Sequence, residues 1–184
     1  MAKSDQTPGI RPRMTLSRRL DIAARHAAPA GFTILLMLLV ELPLGFANQA
    51  VLLPAVTICS VYFWSLFRPS SLPPPVVFLI GLLLDLLGYL PLGVGPVVLL
   101  LVHGLVLRWR GVLARQGFLA VWASLAAFAV GASLLGWAFM MALRFRLLPA
   151  SPALFQALLT IALYPALAML FIRAHRTVAD PERV

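Results

Sequence analysis

Between residues 30 and 172 the chain passes through six apolar runs, and no polar interval between them is long enough to hold a domain. A backbone in lipid must satisfy its own N–H and C=O groups, which an α-helix does within one segment. The runs cover residues 30–47, 51–67, 75–90, 96–107, 118–141 and 154–172. The chain is 61% hydrophobic and 11% charged, with a mean hydropathy of +0.95, where soluble domains carry roughly 25% charged residues. The expectation is an all-α integral membrane protein with a six-helix transmembrane domain over residues 30–172.

Charge sets the direction of threading. Fifteen Lys and Arg stand against six acids. They lie at segment ends rather than in one patch, which argues against nucleic-acid binding. With both termini on one face, thirteen basic residues fall on that face and two, Arg144 and Arg146, on the other. The excess of Lys and Arg belongs on the cytoplasmic side, so both termini are expected there. A five-span reading, with the two short central runs forming one broken element, would put Arg173, Arg176 and Arg183 outside.

Residues 1–29 form a basic cytoplasmic segment with Lys3, Arg11, Arg13, Arg18, Arg19 and Arg25. As a helix over 14–28 it would align Leu16, Leu20, Ala23 and Ala27 opposite Arg18, Asp21 and Arg25, which suits an anionic membrane surface. A solvated tail that serves only as a topology signal is the other reading. Arg18-Arg19 lacks the apolar core that a twin-arginine export signal needs next. Small residues at Gly45-Phe46-Ala47 offer a signal-peptide cleavage site, against which stand the long leader and Glu41. Residues 173–184 form a short basic cytoplasmic tail.

Pro73-Pro74-Pro75 can begin a helix but not continue one, so the third span starts there and runs to residue 90, about 25 Å at 1.5 Å per residue. Small residues recur every fourth position at Ala123, Ala127 and Gly131, and again at Ala132 and Gly136. In lipid that spacing lets helices approach closely. Cys59 stands alone in an apolar run, without a disulfide or metal partner of its kind.

No H-E-x-x-H, C-x-x-C, G-x-S-x-G, P-loop or G-x-G-x-x-G is present, and neither enzymatic activity nor a cofactor or metal is expected. Within the six runs only Glu41 and Asp85 are acidic. Measured from residues 30 and 75, they lie roughly 16 and 15 Å along their helices, a similar depth near the membrane midplane; Pro43 frees a carbonyl beside Glu41, and the alternative for that acid is a break near the outer end. A membrane-buried acid must be protonated, hydrogen-bonded or turned to a polar interior. Asp85 shares a helix face with Phe78, Gly81 and Gly88, and the two glycines leave room for another helix or a partner backbone. Asp85 is therefore read either as a partner, ion or substrate contact, or as a protonated polar staple bonded to a neighbouring hydroxyl or carbonyl. His103 reads as a hydrogen-bonded interior residue, and Tyr164 as a donor to a carbonyl freed by Pro165. With Gln156 and Thr160 these make a thin set of interior polar groups.

Arg68-Pro69-Ser70 before the proline turn, then F-L-I-G-L-L-L-D-L-L-G over 78–88, then Pro91-Leu92-Gly93, resemble the rod shape-determining protein MreD family of bacteria. The likeness is detailed over residues 68–101 and otherwise rests on length, number of spans and the basic tail. It implies a non-catalytic, multi-pass scaffold of the cell-elongation machinery (the elongasome) in the bacterial inner membrane. Such a scaffold would bind MreC, touch membrane lipids, and help couple MreB filaments to two peptidoglycan synthases, a SEDS glycosyltransferase and a class B penicillin-binding protein. Asp85, Gly81, Gly88, Phe78, Glu41, Arg68 and Pro69 would serve partner binding or helix packing. The family's fold is similar to that of the substrate-binding membrane subunits of vitamin-uptake transporters, and a transporter subunit is the alternative function. The segment before residue 29 is longer than the shorter members of that family need, and would serve membrane-surface or filament contact.

Overall fold

A computed structural model describes residues 16–42 and 49–179, with side-chain surroundings for 27–42 and 51–173. Six α-helices follow one another: α1 (Leu16–Glu41), α2 (Gln49–Phe67), α3 (Pro74–Leu87), α4 (Val94–Leu113), α5 (Phe118–Arg144) and α6 (Ser151–Ala179), with a 3-10 turn at Pro69–Ser71. No strand occurs among the described residues. Three helical stretches, Val94–Leu113, Phe118–Arg144 and Ser151–Arg173, are long and apolar enough to cross a membrane. Shorter apolar stretches are Ala27–Glu41, Val51–Phe67 and Pro74–Leu87. The 14 residues of α3 extend about 21 Å, less than the ~30 Å of a hydrocarbon core.

Several boundaries differ from the sequence reading. The backbone from Leu16 is already helical and runs through Pro29 into the first apolar run as one helix; Thr33 Oγ1 donates to the Pro29 carbonyl at 2.9 Å. The proposed amphipathic side chains of 16–26 and the cleavage reading at 45–47 lie outside the described residues. Helix α3 stops at Leu87 rather than 90. Helix α4 starts at Val94 and continues through Arg108-Trp109-Arg110 to Leu113, where the basic cluster had suggested an end at 107. The physical reason is a long side chain reaching back: Arg110 Nε donates to the Leu66 carbonyl at 3.1 Å, one of the acceptors that the end of α2 leaves free. Helix α6 likewise continues past 172 to Ala179.

Helix α2 is the central post, packed against each of the other five. Every residue from 55 to 66 is buried, which is why this helix is apolar all round instead of amphipathic. Its hydroxyls are satisfied within the helix: Thr57 and Ser60 donate to the carbonyls of Leu53 and Val56, each at 2.7 Å, and Ser65 bonds that of Val61. The links to its neighbours are few and specific. Tyr62 Oη lies 2.9 Å from the Val121 carbonyl and 2.6 Å from Ser124 Oγ on α5. Cys59 Sγ lies 3.4 Å from the Thr160 carbonyl on α6. Phe32, Phe63 and Trp64 gather around Phe171 at centroid separations of 5.9, 5.0 and 5.8 Å, joining α1, α2 and α6 through favourable edge and tilted contacts.

Pro165 in α6 frees the Ile161 carbonyl four residues earlier. Trp122 Nε1 of α5 takes it at 3.0 Å, rather than Tyr164, which is buried with its ring edge-on to Tyr62 at 5.8 Å. Two helix ends are sealed in an uncommon way. Tyr89, just past α3, and Phe145, just past α5, adopt left-handed φ of 50° and 47°, a conformation usually given to glycine. Both are almost fully exposed, at 92% and 94%.

Candidate functional site

The Asp85 carboxylate closes a hairpin. It lies in the last turn of α3, 1% exposed. Its Oδ2 accepts from Gly93 N–H at 2.7 Å and its Oδ1 from Gly95 N–H at 2.8 Å. These are donors at the start of α4, with no carbonyl four residues before them inside that helix, and the positive end of the helix dipole lies there as well. Gly93, at φ 107°, makes the turn that points its N–H at the acid. Both Asp85 oxygens accept from backbone N–H groups, where the staple reading had expected a protonated acid bonded to a hydroxyl or carbonyl.

The glycines have partners within the chain. A Cβ on Gly81 would stand 2.5 Å from both Cα and N of Pro96, and one on Gly95 would stand 2.5 Å from Asp85 Oδ1 and 2.6 Å from the Gly81 carbonyl. Helices α3 and α4 meet backbone to backbone there. Gly88 caps α3 and donates to the Leu84 carbonyl at 2.8 Å. The room on the Gly81–Asp85 face is occupied by α4.

The other expected site residues scatter. Phe78 is exposed and falls at the edge of the buried face, grouped with Leu79, Leu82 and Leu86 instead of with Asp85. Glu41 is the exposed last residue of α1. Each of the two acids therefore sits in the last turn of its helix, not midway along it as the depth argument required. Arg68 and Pro69 lie at the opposite end of the hairpin, half-buried, and open the 3-10 turn that leads to α3.

His103 Nδ1 lies 2.7 Å from Ser65 Oγ, joining α4 to α2. The Gln156 amide, oriented by its partners, donates to the Val51 carbonyl and accepts from Ala55 N–H, each at 3.0 Å. It bridges α6 to α2 in the turn that Pro54 loosens. Thr160 Oγ1 donates to the Gln156 carbonyl at 2.7 Å. Among the described residues, no three of His, Cys, Asp and Glu gather as a metal site would require.

A cavity of about 450 Å³ opens beside the hairpin, between α2, α4, α5 and α6. Ile58, Leu84, Val98 and Leu99 line one side of it, and Ser133, Gly136, Trp137, Met140 and Arg144 of α5 the other. Trp137 Nε1 donates to the Leu148 carbonyl at 3.1 Å, which holds the α5–α6 connection at the cavity's mouth. Sequence reasoning missed this space. The only signal for it was the pair of small residues Ala132 and Gly136, which had been read as a packing stripe; Ser133 beside them drew no reading. Gly131 and Gly136 have no atom within 4 Å of where a Cβ would be, so no close helix approach uses either one.

Set against family models, curated proteins and solved structures, the chain matches none of them.

Proposed function

We propose that the chain is a non-catalytic, multi-pass scaffold of the bacterial inner membrane, with six spans and cytoplasmic termini, acting in cell elongation as its resemblance to MreD implies. In this reading it binds MreC and helps couple MreB filaments to the SEDS glycosyltransferase and the class B penicillin-binding protein. One observation supports a scaffold over a carrier of polar solutes. Asp85, Gln156, Thr160 and the Nδ1 of His103 are engaged in helix-to-helix or within-helix hydrogen bonds. The buried polar atoms left without a partner among the described residues, Trp64 Nε1, His103 Nε2 and Ser133 Oγ, lie on three different helices, and a water-soluble ligand needs free groups that converge. The outward face of α3, with Phe78, Leu79, Leu82 and Leu86 exposed, is the surface that this reading assigns to a partner helix.

A substrate-binding subunit of a vitamin-type transporter is the second reading, and the 450 Å³ cavity is what favours it, being of ligand size. A pull-down of the tagged chain in gentle detergent, read by mass spectrometry, separates the two. The scaffold reading expects MreC and the wall synthases, with their recovery falling at least fivefold when Leu79, Leu82 and Leu86 are changed together to Ala. Recovery of transporter ATPases with a membrane coupling subunit would replace it.

A further inference from the structure

The walls of the 450 Å³ cavity leave water little to bond. Its polar lining side chains are Ser133, Trp137, Arg144 and Gln156. Ser133 Oγ is shut off from the space, Trp137 Nε1 is spent on the Leu148 carbonyl, and the Gln156 amide is spent on Val51 and Ala55. Arg144, the exposed last residue of α5, stands at the mouth. A buried water needs two to four polar partners, and among the described residues no side chain inside the mouth has a group free for it. An apolar guest gains dispersion contacts with every wall.

The cavity is long and blind. Along α5 its lining runs from Ala132 to Arg144, about 18 Å of helix. One turn beyond Ile58 and Ala132, the rings of Tyr62 and Phe128 meet at 5.8 Å and close the inner end. Ile58, Leu99 and Ala132 at that end are buried, whereas Pro149 and Pro152 at the α5–α6 connection are exposed. The depth is close to that of one leaflet of hydrocarbon, half of a ~30 Å core.

Width decides the class of occupant. A helix about 10 Å across would fill roughly 1,400 Å³ over that depth, about three times the space there is. A hydrocarbon chain about 5 Å thick, given carbon contacts near 4 Å and its zigzag, fills roughly 350 Å³. One such chain fits and two do not.

From these limits we infer that the cavity houses one acyl chain of a membrane lipid, drawn from the leaflet at the α5–α6 end, with the glycerol and headgroup left outside the mouth. No headgroup is specified, since Arg144 lies beyond the apolar bore. The lipid is then a structural part of the bundle, doing for α5–α6 what side-chain contact does for α3–α4. Such a site requires only that α4, α5 and α6 cross the membrane, for which each is long and apolar enough, and a scaffold or a carrier could equally hold it.

The test reconstitutes the full protein in phosphatidylcholine nanodiscs containing a small fraction of a phospholipid with a photoactivatable diazirine near the end of one acyl chain. Labelled residues are mapped by peptide mass spectrometry. Label is expected on Ile58 and Leu99 inside the bore, and also on Leu134 and Leu135, which are exposed on α5 at a similar depth. Gly136→Phe, which projects into open space, should lower the inner labels at least tenfold and leave the outer ones unchanged, the outer labels reporting that α5 is still inserted. Label confined to the outer residues of the wild type, or inner label that survives Gly136→Phe, would overturn the proposal. Absence of both sets would remove the spanning of α5, and the site with it.

Discussion

The two hairpins α3–α4 and α5–α6 have similar raw materials and opposite interiors. Both carry small residues on facing sides, and each has a left-handed aromatic just after its first helix, Tyr89 in one and Phe145 in the other. In α3–α4 the glycines are consumed by contact, and a carboxylate ties the end of one helix to the start of the next. In α5–α6 the small residues face a void, and the connection is held by Trp137 across its mouth. A glycine in an apolar helix therefore marks either a contact or a vacancy, and only the opposite wall decides which.

The largest expected effect breaks the tight hairpin. Gly81→Leu would drive a side chain into the Pro96 backbone, and because backbone cannot step aside, the cost should reach about 3 kcal/mol or more. Gly136→Ala should be neutral or stabilising by up to about 1 kcal/mol, since it gains helix propensity in open space. The unfolding midpoint in mixed detergent micelles compares the two directly. Equal destabilisation by both changes would erase the distinction between contact and vacancy.

Next in size is the clamp. Asp85→Leu leaves two N–H donors without an acceptor, Gly95 buried and Gly93 half-buried, at a cost of about 3 kcal/mol, whereas Asp85→Asn keeps one acceptor and should cost about half of that. Unfolding midpoints that rank wild type above Asn above Leu would place the role of Asp85 in the hairpin. If Asp85→Asn left the midpoint unchanged yet lost partners in a pull-down, the acid would belong to a partner instead. The smallest expected effect is that of Ser133→Ala, within about 0.5 kcal/mol of wild type or slightly stabilising, because an unpartnered hydroxyl holds nothing together. A loss above 1 kcal/mol would mean that Ser133 is a packing residue and would draw the two hairpins closer in kind.

The six helices were legible because uninterrupted apolar runs and proline starts are local signals, and Pro74 and Pro75 do begin α3. The ends were less so. Arg108 and Arg110 read as a stop because a charge in an apolar context suggests water, yet Arg110 is anchored on the carbonyl of Leu66, 44 positions earlier. Asp85 stood out by its isolation, but its hydrogen-bond partners did not. They are backbone donors, which every sequence offers everywhere, and only the turn at Gly93 aims two of them at one carboxylate. The same limit applies to Ile161, whose freed carbonyl went to Trp122 on another helix instead of the adjacent Tyr164.

Tyr89 and Phe145 gain a meaning beyond capping once the chain lies in a bilayer. Aromatic rings favour the headgroup layer, and the six-span reading puts the two connections that carry these residues on one side. In that reading they would act as a waterline that fixes how high this end of the protein rides. Helix α3, at about 21 Å, is shorter than a bilayer core, so if it spans as the six-span reading has it, holding Tyr89 at the surface would draw the lipid inward around this hairpin. The membrane beside α3 would be locally thin, and helices of matching length would collect there before any side chain recognised them.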